Sequence, residues 1–353
     1  MKIGILHFQH IENPLCGDHT YLLNLSRSLD EKGHRVSILS LFDTPSEISL
    51  WGDRLRRTVY SAFISTKVSE FSHYDIALFT EPLYPHNMML LRYLKFMTKV
   101  PIVLYLRVPQ VNSTLYYLPI RGMFPALISG EIARPFAERI ASKVELVNPG
   151  IDTTKLYPVN MDKKCDLLYV GHLYREKGVL LLLQAMQWLR SNGAPLRLKI
   201  VHTPCKEEKF YRRYIVDNRL DNVDMERIII ADNLAVYNSA RVFVYPGVAY
   251  HRVHATPLAI LEASACGLPV VCTSLYRHIG LPNITFADPD AKSLAGALLE
   301  AVSKSNVKKC EQAIEIIRAE YSLSIMGRTA ESFFAQIIDG HRNHGRPAIK
   351  YPS

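Results

Sequence analysis

The sequence predicts an α/β protein of two open domains in series, each a parallel sheet covered by helices, followed by a helical tail. Three observations carry that prediction. Short strands that are apolar on both faces alternate with helical stretches, the pattern of a parallel sheet buried on both sides. The segment "NPGIDTTKLYPVNMDKK", residues 148–164, breaks the rhythm with Pro149, Gly150, Pro158 and a polar tail, and reads as a linker. At the C-terminal end, helical stretches near 290–303, 307–319 and 323–338 follow one another without strands between them.

The elements follow in order. "KIGILHF" is a short β-rich strand, and "DHTYLLNLSRSLDEKGH" is a helix whose Leu22, Leu25 and Leu29 recur at helical spacing before Gly33 stops it. "RVSILSLF", "DIALFT", "IVLYL" and "VELVN" continue as strands, separated by helical stretches such as "NMMLLRYLKFMTK" and "EIARPFAERIAS". Beyond the linker, the strands are "DLLYVG", "LRLKIVH", "RIII", "RVFVYP" and "LPVVCT". Interleaved with them are the helices "VLLLLQAMQWLR", "EEKFYRRYIVDN", "NLAVYNSA" and "TPLAILEASACG". In such sheets ligands are expected at the C-terminal ends of the strands.

Composition narrows the function classes. The 353 residues, 48% hydrophobic and 21% charged, suffice for two cores of ordinary size. Six cysteines show no C-x-x-C pair and no metal-ligand spacing, so a reducing compartment and no structural zinc are expected. "MKIGILHFQHIENPLC" lacks the apolar core and cleavage site of a signal peptide, and no apolar stretch reaches the roughly 18–20 residues of a bilayer span. A cytoplasmic protein is the expectation. The net charge of +9 favours polyanionic neighbours, but without zinc-finger spacing, an RNP-like motif or a long basic run, no nucleic acid is expected.

Two stretches carry phosphate-type chemistry. In "YVGHLYREKGVLLLLQAMQWL" a strand ends at Gly171, a turn carries His172, Arg175 and Lys177, and Gly178 opens an apolar helix. Cations beside freed helix N–H groups suit a phosphate, whereas an ordinary solvated turn is the plain alternative. In "HRVHATPLAILEASACGLPVV", residues 251–271, Thr256 is a good N-cap, Pro257 fits the first turn and Gly267 is a C-cap. The amides of Leu258 and Ala259 are then available to a diphosphate. Glu262, about one turn on, suits a ribose diol or is an ordinary helix-surface glutamate.

These features together resemble the C-terminal half of GT-B glycosyltransferases, specifically the retaining, nucleotide-sugar-dependent family 4. That family shows "G-R-L-x-x-E-K-G", matched by Gly171-His172-Leu173-Tyr174-Arg175-Glu176-Lys177-Gly178. Its linker pattern "N-G-V-D-x-x-x-F-x-P" is matched by "NPGIDTTKLYP". Its "E-G-F-G-L-P-x-L-E-A-M-A-C-G-x-P-V-V" aligns without a gap with "HATPLAILEASACGLPVV". The first domain matches more loosely, through the opening strand, Gly17 and "SLDEKGHRVSIL".

The resemblance implies the GT-B architecture, two Rossmann-like domains facing a cleft. The acceptor domain would be 1–150 and the donor domain 151–322, with the helix near 323–340 packing back on the first. It implies a hexosyltransferase using a UDP- or GDP-sugar, with retention, no required metal or cofactor, and a glycan or lipid-linked acceptor. Lys177 would neutralise the diphosphate, Glu262 would hold the ribose, Leu258 and Ala259 would offer amides, and Gly17 would let its loop approach the leaving group.

Three departures from the family pattern stand out. The arginine after Gly171 is His172, for which Arg175 or Arg252 would have to substitute. The first glutamate of the E-x7-E pair is His254, which would contact the donor sugar or stabilise the leaving group when protonated, or simply pack in its loop. His251 is a lesser candidate beside it. The histidine at the end of "IVLYLR" is Arg107, which with Glu81 is an acceptor-side candidate or a structural ion-pair partner.

The catalytic expectation therefore rests on Lys177 and His254. Residues 50–68, with Trp51, Leu55, Val59 and Phe63 at helical spacing among Arg54, Arg56, Arg57 and Lys67, either touch an anionic membrane on its cytoplasmic face or pack on the sheet. The rival functions are a catalytically weak sugar-nucleotide-binding or scaffold protein on the same fold, and a nucleotide-sugar epimerase.

Overall fold

A computed structural model of the chain describes residues 1–7, 17–40, 71–80, 83–106, 114–227, 233–248, 256–304 and 306–344. The described residues fall into two compact units. One holds the N-terminal strand, Asp18–Gly150 and the chain from Leu323 onward, and the other holds Ile151–Ser322.

The first unit is built on a six-stranded parallel sheet in the order β2-β1-β3-β4-β5-β6. Its strands are β1 (Lys2–His7), β2 (Arg35–Ser40), β3 (Ile76–Phe79), β4 (Ile102–Leu106), β5 (Ala126–Ile128) and β6 (Val144–Leu146). Among the described residues before the linker, the helices that accompany them are α1 (Gly17–Asp30), α2 (Pro85–Met97) and α3 (Arg134–Ile140).

Successive strand residues point to opposite faces, and here each face feeds its own core. Ala77, Phe79, Ile102, Leu104 and Ala126 pack with Met88, Leu91 and Leu94 of α2 and with Ala137 and Ile140 of α3. Ile76, Leu78, Val103, Tyr105 and Leu127 pack with Leu22, Leu25 and Leu29 of α1. The same second core takes in Met326, Ala330, Phe333 and Phe334 of the C-terminal helix, which completes the cover of that face.

The second unit repeats the design with a six-stranded parallel sheet in the order β12-β11-β10-β7-β8-β9. The strands are β7 (Cys165–Gly171), β8 (Leu198–His202), β9 (Val223–Arg227), β10 (Ala240–Tyr245), β11 (Val270–Thr273) and β12 (Ile284–Ala287). The helices are α4 (Val179–Ser191), α5 (Glu208–Asp217), α6 (Asn233–Asn238), α7 (Leu258–Ala265), α8 (Ala291–Ser303) and α9 (Val307–Glu320); α10 (Leu323–His344) is the helix that joins the first unit. Along β10, Val242 and Val244 enter the core under α4 and α8, while Phe243 and Tyr245 enter the core under α7.

The chain starts at β7, builds outward through β8 and β9, and then returns to the other side of β7 with β10. Strand order therefore reverses between β7 and β10, the topological switch point at which ligands of such sheets bind.

Three local differences from the sequence reading have physical causes. A strand is described at Val223–Arg227, while Ile228–Ile230 of the expected "RIII" lie outside the described residues; as an edge strand it exposes Asp224, Glu226 and Arg227, a pattern unlike the apolar run of an inner strand. Strands β5 and β12 are additional. They span three and four residues, too short for alternation to register.

Candidate functional site

The site grows from the segments that leave β7 and β10. After Gly171 the chain makes a 3-10 turn, Arg175–Lys177, and Gly178 begins α4 in the left-handed region at φ 73°. Only glycine fits there, because a Cβ on Gly178 would stand 1.8 Å from the carbonyl oxygen of Pro246, just beyond β10. The two strand-end segments are thus pressed together. The Val248 N–H donates to the Glu176 carbonyl at 3.0 Å, and Lys177 Nζ donates to the Tyr245 hydroxyl at 2.9 Å. Lys177 Nζ also lies 5.6 Å from the centre of the Tyr245 ring. Tyr245 in turn hydrogen-bonds Tyr276, whose ring meets it edge-on at 5.2 Å.

Helix α7 begins where the chain returns from β10. Pro257 is its N-cap in extended conformation, and no side chain caps the helix. This corrects the expectation for Thr256, whose hydroxyl instead hydrogen-bonds Tyr321, so the helix starts one residue later. The Ile260 N–H turns back to the Pro257 carbonyl at 3.0 Å. The N–H groups of Leu258 and Ala259 find no acceptor among the described residues, as first-turn amides do not without a cap.

One turn further on, Glu262 Oε2 accepts a hydrogen bond of 2.6 Å from the hydroxyl of Tyr237, a buried residue of α6. The surroundings push the Glu262 carboxyl up from its ordinary range through burial, and the Tyr237 bond opposes that rise. Burial, with the Glu262 charge beside it, holds the Tyr237 phenol well above its usual value.

His172 sits on the same turn as Lys177. Its Nδ1 is 2.6 Å from the Thr203 hydroxyl, its carbonyl accepts from the Tyr169 hydroxyl, and its ring stacks on Tyr174 at 4.9 Å. Burial first, and the Lys177 charge second, lower its pKa from 6.5, so the ring is neutral at neutral pH. A neutral imidazole does not replace the cation of an arginine at this position. Arg175 stands exposed on the turn.

The fold thus brings His172, Arg175, Lys177, Leu258, Ala259 and Glu262 onto the C-terminal edge of one sheet. Gly17 is the first residue of α1 in chain order. His251, Arg252, His254, Glu81, Arg107 and the stretch 50–68 lie outside the described residues.

Sequence reading missed Thr203, Tyr237, Tyr245 and Tyr276. Tyr245, ending a strand before Pro246-Gly247, carried a signal in its position. Tyr237 carried none, since it meets Glu262 across 25 residues of chain.

Comparison with known proteins fits this geometry. Residues 164–304, which lie within the second unit, match the family described as "Glycosyl transferases group 1". The Escherichia coli (strain K12) protein named "Putative colanic acid biosynthesis glycosyltransferase WcaL" is 28% identical over 171 residues, 44% of this chain. The match spans 41% of the length of that curated relative.

Among solved structures, a glycosyltransferase from Rickettsia africae ESF-5 superposes with a TM-score of 0.76 at 14% identity, covering 96% of this chain and 98% of its own. Anabaena Alr3699/HepE, solved in complex with UDP, superposes at 0.73 and 14% identity, covering 95% of this chain and 100% of its own. The fold is that of the GT-B glycosyltransferases.

Proposed function

We propose that this chain, whose residues 164–304 match the group 1 glycosyl transferases, moves a hexose from a UDP- or GDP-sugar to a glycan or lipid-linked acceptor, with retention and without a required metal. The observation that carries this is the lacing of the Lys177 turn to the segment beyond β10, at the switch point of the donor-side sheet. The UDP bound to HepE supports the nucleotide class of the donor.

In this reading the diphosphate lies between Lys177 and the free amides of Leu258 and Ala259, and Glu262 accepts hydrogen bonds from the ribose hydroxyls. When the glycosidic bond to the donor breaks, negative charge grows on the departing nucleoside diphosphate. A fixed ammonium and fixed N–H dipoles gain more from that charge than from the intact donor, so they lower the barrier as well as bind. His172, being neutral, donates or accepts a hydrogen bond but adds no charge. Arg175 or Arg252 supplies the second cation. His254, Glu81 and Arg107, outside the described residues, stay as the candidates for the transferred sugar and for the acceptor side.

The test is transfer and hydrolysis of labelled UDP- and GDP-hexoses over a panel of glycan and lipid-linked acceptors. Turnover that Lys177→Ala lowers by about 10²- to 10³-fold supports the proposal. Tight donor binding with no product on any acceptor favours a binding or scaffold protein. Isomerised donor in the absence of acceptor favours an epimerase.

A further inference from the structure

The first unit carries an apolar face that none of its described residues covers. Helix α2 directs Met88, Leu91 and Leu94 into the sheet core. The opposite side of a surface helix is ordinarily polar, but here Met89, Tyr93, Phe96 and Met97 recur on it at helical spacing. Phe96 is 88% exposed and Met89 72%. The 3-10 turn Thr114–Ile120 packs beside α2 and adds Leu115 and Leu118, both exposed. Among the described residues of the first unit, every exposed large apolar side chain lies on these two elements or is Tyr84, the residue preceding α2. Single exposed apolar residues are ordinary, whereas a cluster of this kind marks an interaction surface.

Within the two segments that carry the face the charge has one sign, and the neighbouring Glu131 and Glu138 are paired with Arg134. Residues 83–101 and 114–125 hold Arg92, Lys95, Lys99 and Arg121 and no aspartate or glutamate. Arg92, Lys99 and Arg121 are exposed, and no carboxylate among the described residues pairs with them. Lys95 Nζ donates to the Met123 carbonyl at 2.7 Å and lies 5.2 Å from the Phe124 ring centre, which fastens the helix to the chain beyond the turn. No described helix is long and apolar enough to cross a membrane.

We infer that α2 and the turn 114–120 form the face by which the chain lies on an anionic phospholipid bilayer. Met89, Phe96, Leu115 and Leu118 enter the boundary between headgroups and acyl chains, Tyr93 sits at headgroup level, and Arg92, Lys99 and Arg121 meet the lipid phosphates. A surface uniformly negative opposite these cations, and apolar just beneath, answers both features of the face. The inference does not depend on the donor chemistry of the second unit.

The test is co-sedimentation of the full chain with vesicles of phosphatidylcholine alone and of phosphatidylcholine mixed with phosphatidylglycerol. Binding is expected to the mixed vesicles only, and to weaken as salt is raised. Each basic residue near such a surface is worth about fivefold in partition, so Arg92→Glu/Lys99→Glu should lower it by at least about 25-fold. Met89→Ser/Phe96→Ser/Leu118→Ser should abolish it while leaving the thermal midpoint and the affinity for UDP and GDP unchanged, which separates a lost face from a lost fold.

Equal binding to neutral vesicles, or wild-type partition in both variants, overturns the inference. So does a wild-type dimer in light scattering that the triple variant dissolves, because the face would then be covered by a second copy.

Discussion

Replacing Gly178 by alanine tests the feature on which the candidate site depends, the contact between the Lys177 turn and the segment beyond β10. An L-residue at φ 73° costs about 1–2 kcal/mol in any surroundings. The added Cβ must also move from 1.8 Å to at least the 3.0 Å floor of real contacts, and its neighbour is a backbone carbonyl that cannot swing aside as a side chain does.

Parting the two segments by that much breaks the 3.0 Å bond from Val248 to Glu176, about 1 kcal/mol, and adds an overpacking cost of roughly 1–3 kcal/mol. The total is about 3–6 kcal/mol, on the order of 10–20 °C in the melting temperature of a unit of this size. Gly193→Ala supplies the control, because Gly193 has φ 71° with nothing within 4 Å, so it carries the strain without the collision. Thermal unfolding and nucleotide calorimetry on both variants should show Gly178→Ala far less stable and at least tenfold weaker toward the nucleotide. If the two variants melt together and bind alike, the segments are not locked as described.

Other consequences follow from individual contacts. Tyr245→Phe removes the oxygen that holds Lys177 Nζ and pairs with Tyr276, and should weaken donor binding about 5- to 10-fold, measured as a rise in donor KM, with a stability loss of about 1–3 kcal/mol from the unpaired Tyr276 hydroxyl. Tyr237→Phe leaves the Glu262 carboxylate without its donor and should raise the apparent pKa of donor binding, read from KM against pH, while Tyr237→Leu should add a packing loss that binding alone does not report. Because burial raises the Glu262 pKa above 4.5, its contribution to stability is full below that pH and is lost as pH rises through the folded value; the melting temperature of Glu262→Gln should lack this decline. His172 behaves in the opposite sense. With its pKa lowered from 6.5, the unfolded chain takes the proton first, so stability should fall as pH drops below 6.5, and His172→Asn should flatten that limb.

The two-sheet architecture was legible because nearly every inner strand is apolar on both faces, as "IALF" and "IVLYL" are, and because each is followed by a helical stretch. What the sequence hid was short or at an edge. β5 and β12 are too brief to show a period, and β9 is half solvated.

The same division runs through the site. Lys177, Gly178 and Glu262 stand in local motifs that state their own chemistry, so each was identified from its neighbours in sequence. Tyr237 and Tyr245 act across 25 and 68 residues of chain, through contacts that only the folded sheet creates. Thr256 misled because Thr-Pro before an apolar run is also the pattern of a capped helix, whereas its hydroxyl is drawn to Tyr321 and the first turn is left open. The exposed side of α2 went unread in the sequence. A helix that is apolar around most of its circumference reads as buried, and only the fold reveals which of its two apolar sides has a partner.

The central claim is that the unit Ile151–Ser322 binds a nucleoside diphosphate through Lys177, the first amides of α7 and Glu262. Isothermal calorimetry of the full chain against UDP, GDP, ADP and TDP tests it most directly, with Lys177→Ala and Glu262→Ala measured beside the wild type. The account predicts that UDP or GDP binds and that each substitution weakens it by at least about tenfold, the loss of a charge-assisted contact. Absence of binding by all four nucleotides, or undiminished affinity in both variants, contradicts it.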